Sequence, residues 1–350
     1  MKRKLRGFKR SAVELDYNLY RVDVPIPGLA GDDLSVIDIR PEGVEQTIVF
    51  LHGFAGCAET WEHQINHFSQ EYRVVAPDLR GHGQSDAPFT RYTMGELVAD
   101  LYKISQYLEL PEQFILVGHS FGGSIAVEYA SAHPEQISHL VLIATAVEWP
   151  VPRIASFFFR LPAAFFRLWW PYCGRWNCQV HTFKRMAVNN LEKWRGRARM
   201  ESLAVPTLVI TGARDNYFLR RVYEDVGQAI PSADVVDIGA SKHKVQLERH
   251  KAVIRTIDRF VDESKKGSSW RSDIGGEMSQ RRPWLDFYSP GTPKTVPIPR
   301  RPLHDFLYSS AEWLPKRTAT IFFGKKLNYS RLARSVNQLG HTLHGLGVKP

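Results

Sequence analysis

Short runs of β-branched and aliphatic residues recur at positions 35–39, 47–51, 73–76, 114–117, 140–143, 207–210 and 234–238, and from the second run onward segments of helix length separate them. That alternation is a βαβ rhythm, which a chain satisfies by laying strands side by side in parallel with helices crossing over the faces. Continuous apolar strands such as Phe114-Ile115-Leu116-Val117 suit a sheet covered on both sides, because neither face of such a strand tolerates water. The fold class expected is α/β, mainly parallel. With 43% hydrophobic and 23% charged residues in 350, the composition excludes a wholly disordered, collagenous or disulfide-scaffold protein.

Between residues 146 and 206 the rhythm is replaced by a stretch rich in Phe, Trp and Arg, too long for a plain loop and expected to form a cap over about residues 147–205. The last helix of the repeating pattern is expected at 251–262. A polar linker, 263–281, then separates a first domain (1–262) from a Pro-punctuated segment, 282–350, in which helical periodicity returns with Leu332, Val336, Leu339 and Leu343.

The net charge of +10 is unevenly spread: residues 1–10 carry +6, residues 148–201 carry ten basic against three acidic side chains, and residues 263–350 carry fifteen against six. No finger, helix-turn-helix or aromatic RNA-binding motif accompanies these charges, so no nucleic-acid partner is expected; a basic, aromatic cap suits anionic lipid or a phosphorylated ligand better. The basic start MKRKLRGFKR leads into alternating polar residues where a signal peptide needs an apolar run, and residues 154–170 are broken by Arg160, Pro162 and Arg167, so neither secretion nor a membrane span is expected. Cys57, Cys173 and Cys178 form no even set and no paired metal spacing. A reducing, cytoplasmic setting follows, with no metal and no cofactor expected.

The strongest chemical signal is Gly118-His119-Ser120-Phe121-Gly122, placed directly after the strand 114–117 and before a helix beginning with small residues. A strand–turn–helix of this kind lifts a serine hydroxyl out on a tight turn, and the glycines let the helix approach the sheet. The hydroxyl needs a base, and the base needs an acid to fix its tautomer. Asp215 follows the strand 207–210 and His243 follows 234–238, both at C-terminal strand ends, where open α/β sheets carry their sites. Glu148 is the alternative acid, and His250 reads as a surface residue. His52-Gly53-Phe54-Ala55-Gly56 follows the strand 47–51 as the candidate oxyanion site, with the amides of Phe54 and Phe121 as the expected pair and His52 as a structural hydrogen-bonding residue.

Taken in order, His52-Gly-Phe-Ala-Gly56, Asp78-Leu-Arg-Gly-His-Gly-Gln-Ser-Asp86, Gly118-His-Ser-Phe-Gly-Gly123, Gly212-Ala-Arg-Asp215 and Lys242-His243 resemble the α/β-hydrolase fold family over about residues 20–262. The resemblance implies a Ser120–His243–Asp215 triad and a cap inserted after the sixth strand. Lys242, where a glycine commonly stands, and Asn216-Tyr217 after the acid depart from the family pattern. Arg80 and His82 in the 78–86 loop are expected to brace the site. Relatives that open epoxides or remove halides carry an aspartate where this chain has Ser120, so acyl transfer to water is the expected chemistry, on a carboxylic ester or thioester. A carbon–carbon bond hydrolase and a non-catalytic acyl-binding or tethering domain are the alternatives. Arg282-Pro-Trp-Leu-Asp-Phe-Tyr288, Pro290-Gly291, Ala319 to Tyr329 and Leu339 to Gly347 resemble the opening of long-chain acyl-CoA synthetases. No adenylation activity is expected of this stretch, which holds no Ser/Thr/Gly-rich phosphate loop.

In the cap, Arg153, Arg160 and Arg167 recur every seven residues and Pro162 is expected to split the segment into two helices. Phe158 and Trp169 are the candidate acyl-binding residues among more rings than one contact face requires. The alternatives are ordinary packing on the sheet and peripheral contact with a membrane.

Overall fold

The computed structural model describes residues 15–169, 176–215, 217, 221–230, 232–267, 303–322 and 325–348. Two compact units divide the chain, residues 1–298 and 299–350.

In the first unit eight strands, β1 (Arg21–Pro25), β2 (Asp33–Ile39), β3 (Thr47–Leu51), β4 (Arg73–Pro77), β5 (Phe114–His119), β6 (Ile137–Ile143), β7 (Thr207–Thr211) and β8 (Asp234–Asp237), form one sheet in the order 1-2-4-3-5-6-7-8. β2 runs antiparallel to β1 and β4; from β4 to β8 the neighbours are parallel. The period-2 alternation of a strand divides the core between the two faces. Val49, Leu51 and Leu116 pack on one side with the helices α2 (Met94–Tyr107) and α3 (Phe121–Ala132), while Ile48, Phe50, Ile115 and Val117 pack on the other with α1 (Glu62–Phe68) and α10 (His250–Gly267). All the residues of β3, β4 and β5 are buried, which is why their sequences run apolar without alternation.

The seven runs read from the sequence all become strands. β1 was not legible because Arg21-Val-Asp-Val-Pro25 mixes charge with two valines; its Arg21 is buried on Asp78 at 2.8 Å and Glu59 at 2.5 Å. The cap contains α4 (Arg153–Arg160), α5 (Ala163–Trp169), α6 (Val180–Met186), a π-helical turn Ala187–Leu191 and α7 (Arg197–Glu201), with the break between α4 and α5 at Pro162 as expected. α8 (Arg221–Ala229) and the short α9 (Val245–Glu248) complete the unit. One boundary differs: α10 runs on to Gly267, so the first residues of the expected linker are helical, Ser264-Lys-Lys continuing the turn without a breaker.

The second unit contains α11 (Leu303–Trp313), an antiparallel hairpin of β9 (Thr318–Phe322) and β10 (Lys325–Asn328), and α12 (Tyr329–Gly345). Asn328 caps α12 by accepting from the Arg331 amide at 2.9 Å. The Arg282 to Gly291 motif lies outside the described residues.

Candidate active site

The turn between β5 and α3 places Ser120 at φ 53°, ψ −121°, a left-handed conformation that a residue with a Cβ adopts only when its surroundings enforce it. The enforcing contacts are backbone ones. The Ser120 amide donates to Ile143 O at 2.8 Å, and the Gly123 amide donates to Ser120 O at 2.9 Å. A Cβ on Gly118 would sit 2.6 Å from the Gly123 amide nitrogen, and one on Gly122 would sit 2.4 Å from Leu51 O, so glycine is needed where α3 crosses the sheet edge.

His243 and Asp215 arrive from the loops after β8 and β7. The Ser120 hydroxyl lies 2.8 Å from His243 Nε2, and His243 Nδ1–H donates to Asp215 Oδ2 at 2.7 Å. Oδ1 of Asp215 accepts the Tyr217 amide at 2.7 Å, so Tyr217, part of the first departure, ties its backbone to the carboxylate. Burial pushes the Asp215 carboxyl up, but the hydrogen bonds and charge of His243, then Tyr223 and the Tyr217 amide, outweigh it and hold the group down to about 2. The second departure is equally well accommodated: Lys242 is exposed, and its amide donates to Glu248 Oε2 at 2.8 Å. Beneath His243, His119 Nε2–H donates to the His243 carbonyl at 2.9 Å. Burial and the neighbouring His243 push His119 down to about 3, so it stays a neutral donor.

Gly53 lies against Ser120, where an added Cβ would approach Ser120 Cβ to 3.2 Å. This brings the loop after β3 beside the N-terminus of α3, and among the described residues neither the Phe54 nor the Phe121 amide is taken by an intramolecular acceptor. Their rings meet edge to face at 6.2 Å. His52 Nε2 accepts the Leu79 amide at 3.0 Å while Nδ1–H donates to Gly53 O at 2.8 Å, an arrangement that fixes the loop and leaves no ring nitrogen for chemistry.

The other candidates separate from this cluster. Glu148 is exposed and pairs with Arg195 at 3.1 Å, away from His243. Arg80 binds Asp100 in α2 through two bonds of 2.7 and 2.6 Å, so it braces the 78–86 loop against a helix. His82 is buried with its ring 5.2 Å from that of His52. His250 opens α10 half-buried, stacked on His63 at 3.9 Å.

In the cap, Phe158 lies on the outer side of α4. It is 43% exposed, whereas the next residue, Phe159, turns inward onto Phe183 at 5.8 Å; Phe183 in turn packs on Phe54 at 4.9 Å. One residue is 100° of helix, so periodicity alone could not choose between adjacent phenylalanines. The side chain of Trp169 lies outside the described residues.

Sequence reasoning missed Tyr223. Its hydroxyl donates to Asp215 Oδ2 at 2.5 Å and lies 3.2 Å from His243 Nδ1. It sits in the first turn of α8 with no motif around it; the one available signal was a tyrosine placed on the buried stripe with Val226 and Ala229.

Residues 46–181 match the family model described as alpha/beta hydrolase fold, a stretch that holds the Gly53–Phe54 loop and Ser120. The chain has the alpha/beta hydrolase fold. The hydrolase domain is 40% identical over 123 residues to epoxide hydrolase 4 of Mus musculus, covering 34% of this chain; the chain spans a third (33%) of that relative's length. To the cis-3-alkyl-4-alkyloxetan-2-one decarboxylase of Xanthomonas campestris it is 27% identical over 290 residues, covering 69% of this chain and 95% of the relative. Among solved structures, the enol-lactonase of Burkholderia xenovorans superposes with a TM-score of 0.58 at 23% identity, covering 68% of this chain and all of that one. A thermophilic esterase from Thermogutta terrifontis superposes with 0.59 at 23% identity, covering 69% and 98%. Asp215 and His243 lie beyond the family match, so their pairing with Ser120 rests on geometry.

Proposed function

We propose that this chain is a serine hydrolase of carboxylic esters or thioesters with hydrophobic acyl groups. The observation that carries the reading is the unbroken line from Ser120 Oγ through His243 to Asp215, with bonds of 2.8 and 2.7 Å. Ser120 Oγ attacks the carbonyl carbon as its proton passes to His243 Nε2. Negative charge develops on the carbonyl oxygen, where the Phe54 and Phe121 amides donate to it. Collapse expels the alcohol or thiol, which takes the proton from His243, and leaves Ser120 acylated. Water, deprotonated by the same nitrogen, then releases the acid. Asp215 holds Nδ1 protonated so that Nε2 faces the serine.

The Xanthomonas relative is named for an oxetan-2-one, a four-membered cyclic ester. Cyclic esters therefore belong to the proposed substrate class, with the expelled alkoxide staying attached to the acyl group. The aromatic lining Phe54, Phe159 and Phe183 supports an apolar acyl chain. We read residues 282–350 as the opening of an adenylate-forming domain joined to the hydrolase.

The test is covalent labelling with a fluorophosphonate, which requires a nucleophilic serine. Wild type is expected to label and Ser120→Ala to resist. A folded wild type that resists labelling leaves the acyl-binding or tethering role in place of the enzyme.

A further inference from the structure

The helix α4 is apolar on two sides, and only one of them is covered. Phe159 faces inward onto Phe183, while Ile154, Phe157 and Phe158, at spacings of three and one that share a stripe, are 69%, 63% and 43% exposed. Phe165 on α5 adds a further ring at 50%. Each phenylalanine can bury roughly 150 Å² or more, and monomers rarely leave contiguous apolar patches beyond a few hundred Å² in water. The face therefore has an occupant of its own.

Charge selects it. Residues 148–201 hold ten basic and three acidic side chains, and among the described residues the acidic ones are already paired: Glu192 with Arg160, Glu148 with Arg195, Glu201 with Arg197. Arg153, exposed in the first turn of α4 beside Ile154 and Phe157, has no carboxylate partner among the described residues. Two copies meeting through this face would bring like charges together. An anionic bilayer offers acyl chains to the rings and phosphates to the arginines.

We propose that the outer face of α4 and α5 is a docking surface for an anionic lipid membrane, entered by Ile154, Phe157, Phe158 and Phe165 to the depth of the headgroups. No helix among the described residues is long and apolar enough to cross a membrane, so the contact is peripheral. On the opposite, inner side of α4, Phe159, Phe183 and Phe54 carry apolar surface on toward the loop after β3. Where the hydrolase reading holds, this gives a water-insoluble substrate a short path from bilayer to serine; the binding itself does not depend on that reading and is measured on Ser120→Ala protein.

The experiment is flotation of the full chain with vesicles of phosphatidylcholine alone and of phosphatidylcholine with phosphatidylglycerol, at low and high salt. Binding is expected on the anionic vesicles, weakened by salt. Ile154→Ser with Phe157→Ser is expected to weaken partitioning more than about tenfold, and Arg153→Gln by about fivefold. Circular dichroism and thermal melting of the same substituted proteins check that the fold is kept. Four results overturn the proposal: no flotation at low salt; flotation unchanged by the double substitution, which would assign it to basic segments such as residues 1–10; equal, substitution-insensitive binding to soluble polyglutamate; or a dimer that the double substitution dissociates while vesicles bind nothing.

Discussion

Tyr223 donates its hydroxyl at 2.5 Å to Oδ2 of Asp215, the same carboxylate oxygen that accepts His243 Nδ1–H. A carboxylate oxygen can take two donors, but the second spreads the charge that the histidine would otherwise meet alone. Tyr223 is buried, and burial first, then Asp215, push its phenol well above the usual range, so it remains a donor at any working pH. Tyr223→Phe keeps the ring and removes the bond. Its kcat is expected to fall by about tenfold or less with KM near normal, because the carboxylate that orients the histidine loses one of its two fixed donors. A purely structural tyrosine would lower the melting temperature and leave kcat in place.

Asp215→Asn should preserve the fold and reduce kcat by up to about 10⁴, since the amide favours the histidine tautomer that turns Nδ1's lone pair to residue 215 and Nε2–H to the serine. Glu148→Gln, at an exposed position paired with Arg195, should change kcat less than about twofold. Steady-state kinetics on a chromogenic ester checks both. A large loss in Glu148→Gln beside normal turnover in Asp215→Asn would reverse the assignment.

Ser120, Asp215, His243 and the Gly53–Phe54 loop were legible in the sequence because each occupies the C-terminal end of a strand, and strand ends are marked by apolar runs that stop at Gly or charge. Tyr223 reaches the acid from a helix eight residues further on, and its role depends on how α8 packs, which no local pattern encodes. The choice between Phe158 and Phe159 depends on helix phase set by the contact with Phe183, and a run of three phenylalanines carries no phase. Arg21 was lost with β1 because a buried arginine looks like a surface one until Asp78 and Glu59 are found beside it.

Three buried histidines predict acid sensitivity. Burial pushes His52, His82 and His119 down, the latter two to about 3, below an ordinary value of about 6.5. Between those limits the unfolded chain takes up protons that the folded chain refuses, so stability is full above about pH 6.5 and is lost progressively as pH falls toward 3. Asp215, held at about 2, adds loss in the same direction below about pH 4. Asp100 opposes them, since burial pushes its carboxyl up to about 6, but that is one group moved by about two units against two histidines moved by more than three. The melting temperature should therefore fall from pH 7 to pH 5, and a rise over that interval would contradict the balance.

Both large core clusters are built from residues between Tyr20 and Val261, and the second unit contributes Ala333 as its buried hydrophobic residue among those described. A chain ending at Gly267, where α10 stops, should therefore unfold cooperatively and keep ester hydrolysis within about twofold of the whole. Insolubility or loss of activity would mean that residues beyond 267 complete the hydrolase.

The inward turn of Phe159 separates two roles that the cap sequence leaves entangled. Phe159 packs on Phe183, which packs on Phe54, whose amide is a proposed oxyanion donor, so a medium or long acyl chain seated there would lie on these rings. Each methylene transferred from water to such a surface contributes about 0.8 kcal/mol, and kcat/KM for soluble esters should climb from acetyl to octanoyl until the pocket is filled. Phe159→Ala should flatten that climb, lowering the octanoyl-to-acetyl ratio by about tenfold while leaving acetyl turnover near normal. Phe158→Ala, at an exposed position one residue away, should leave the ratio unchanged for esters dissolved in water. If the two substitutions act alike, or acetyl esters are preferred from the start, the acyl chain lies elsewhere and the inner rings are packing alone.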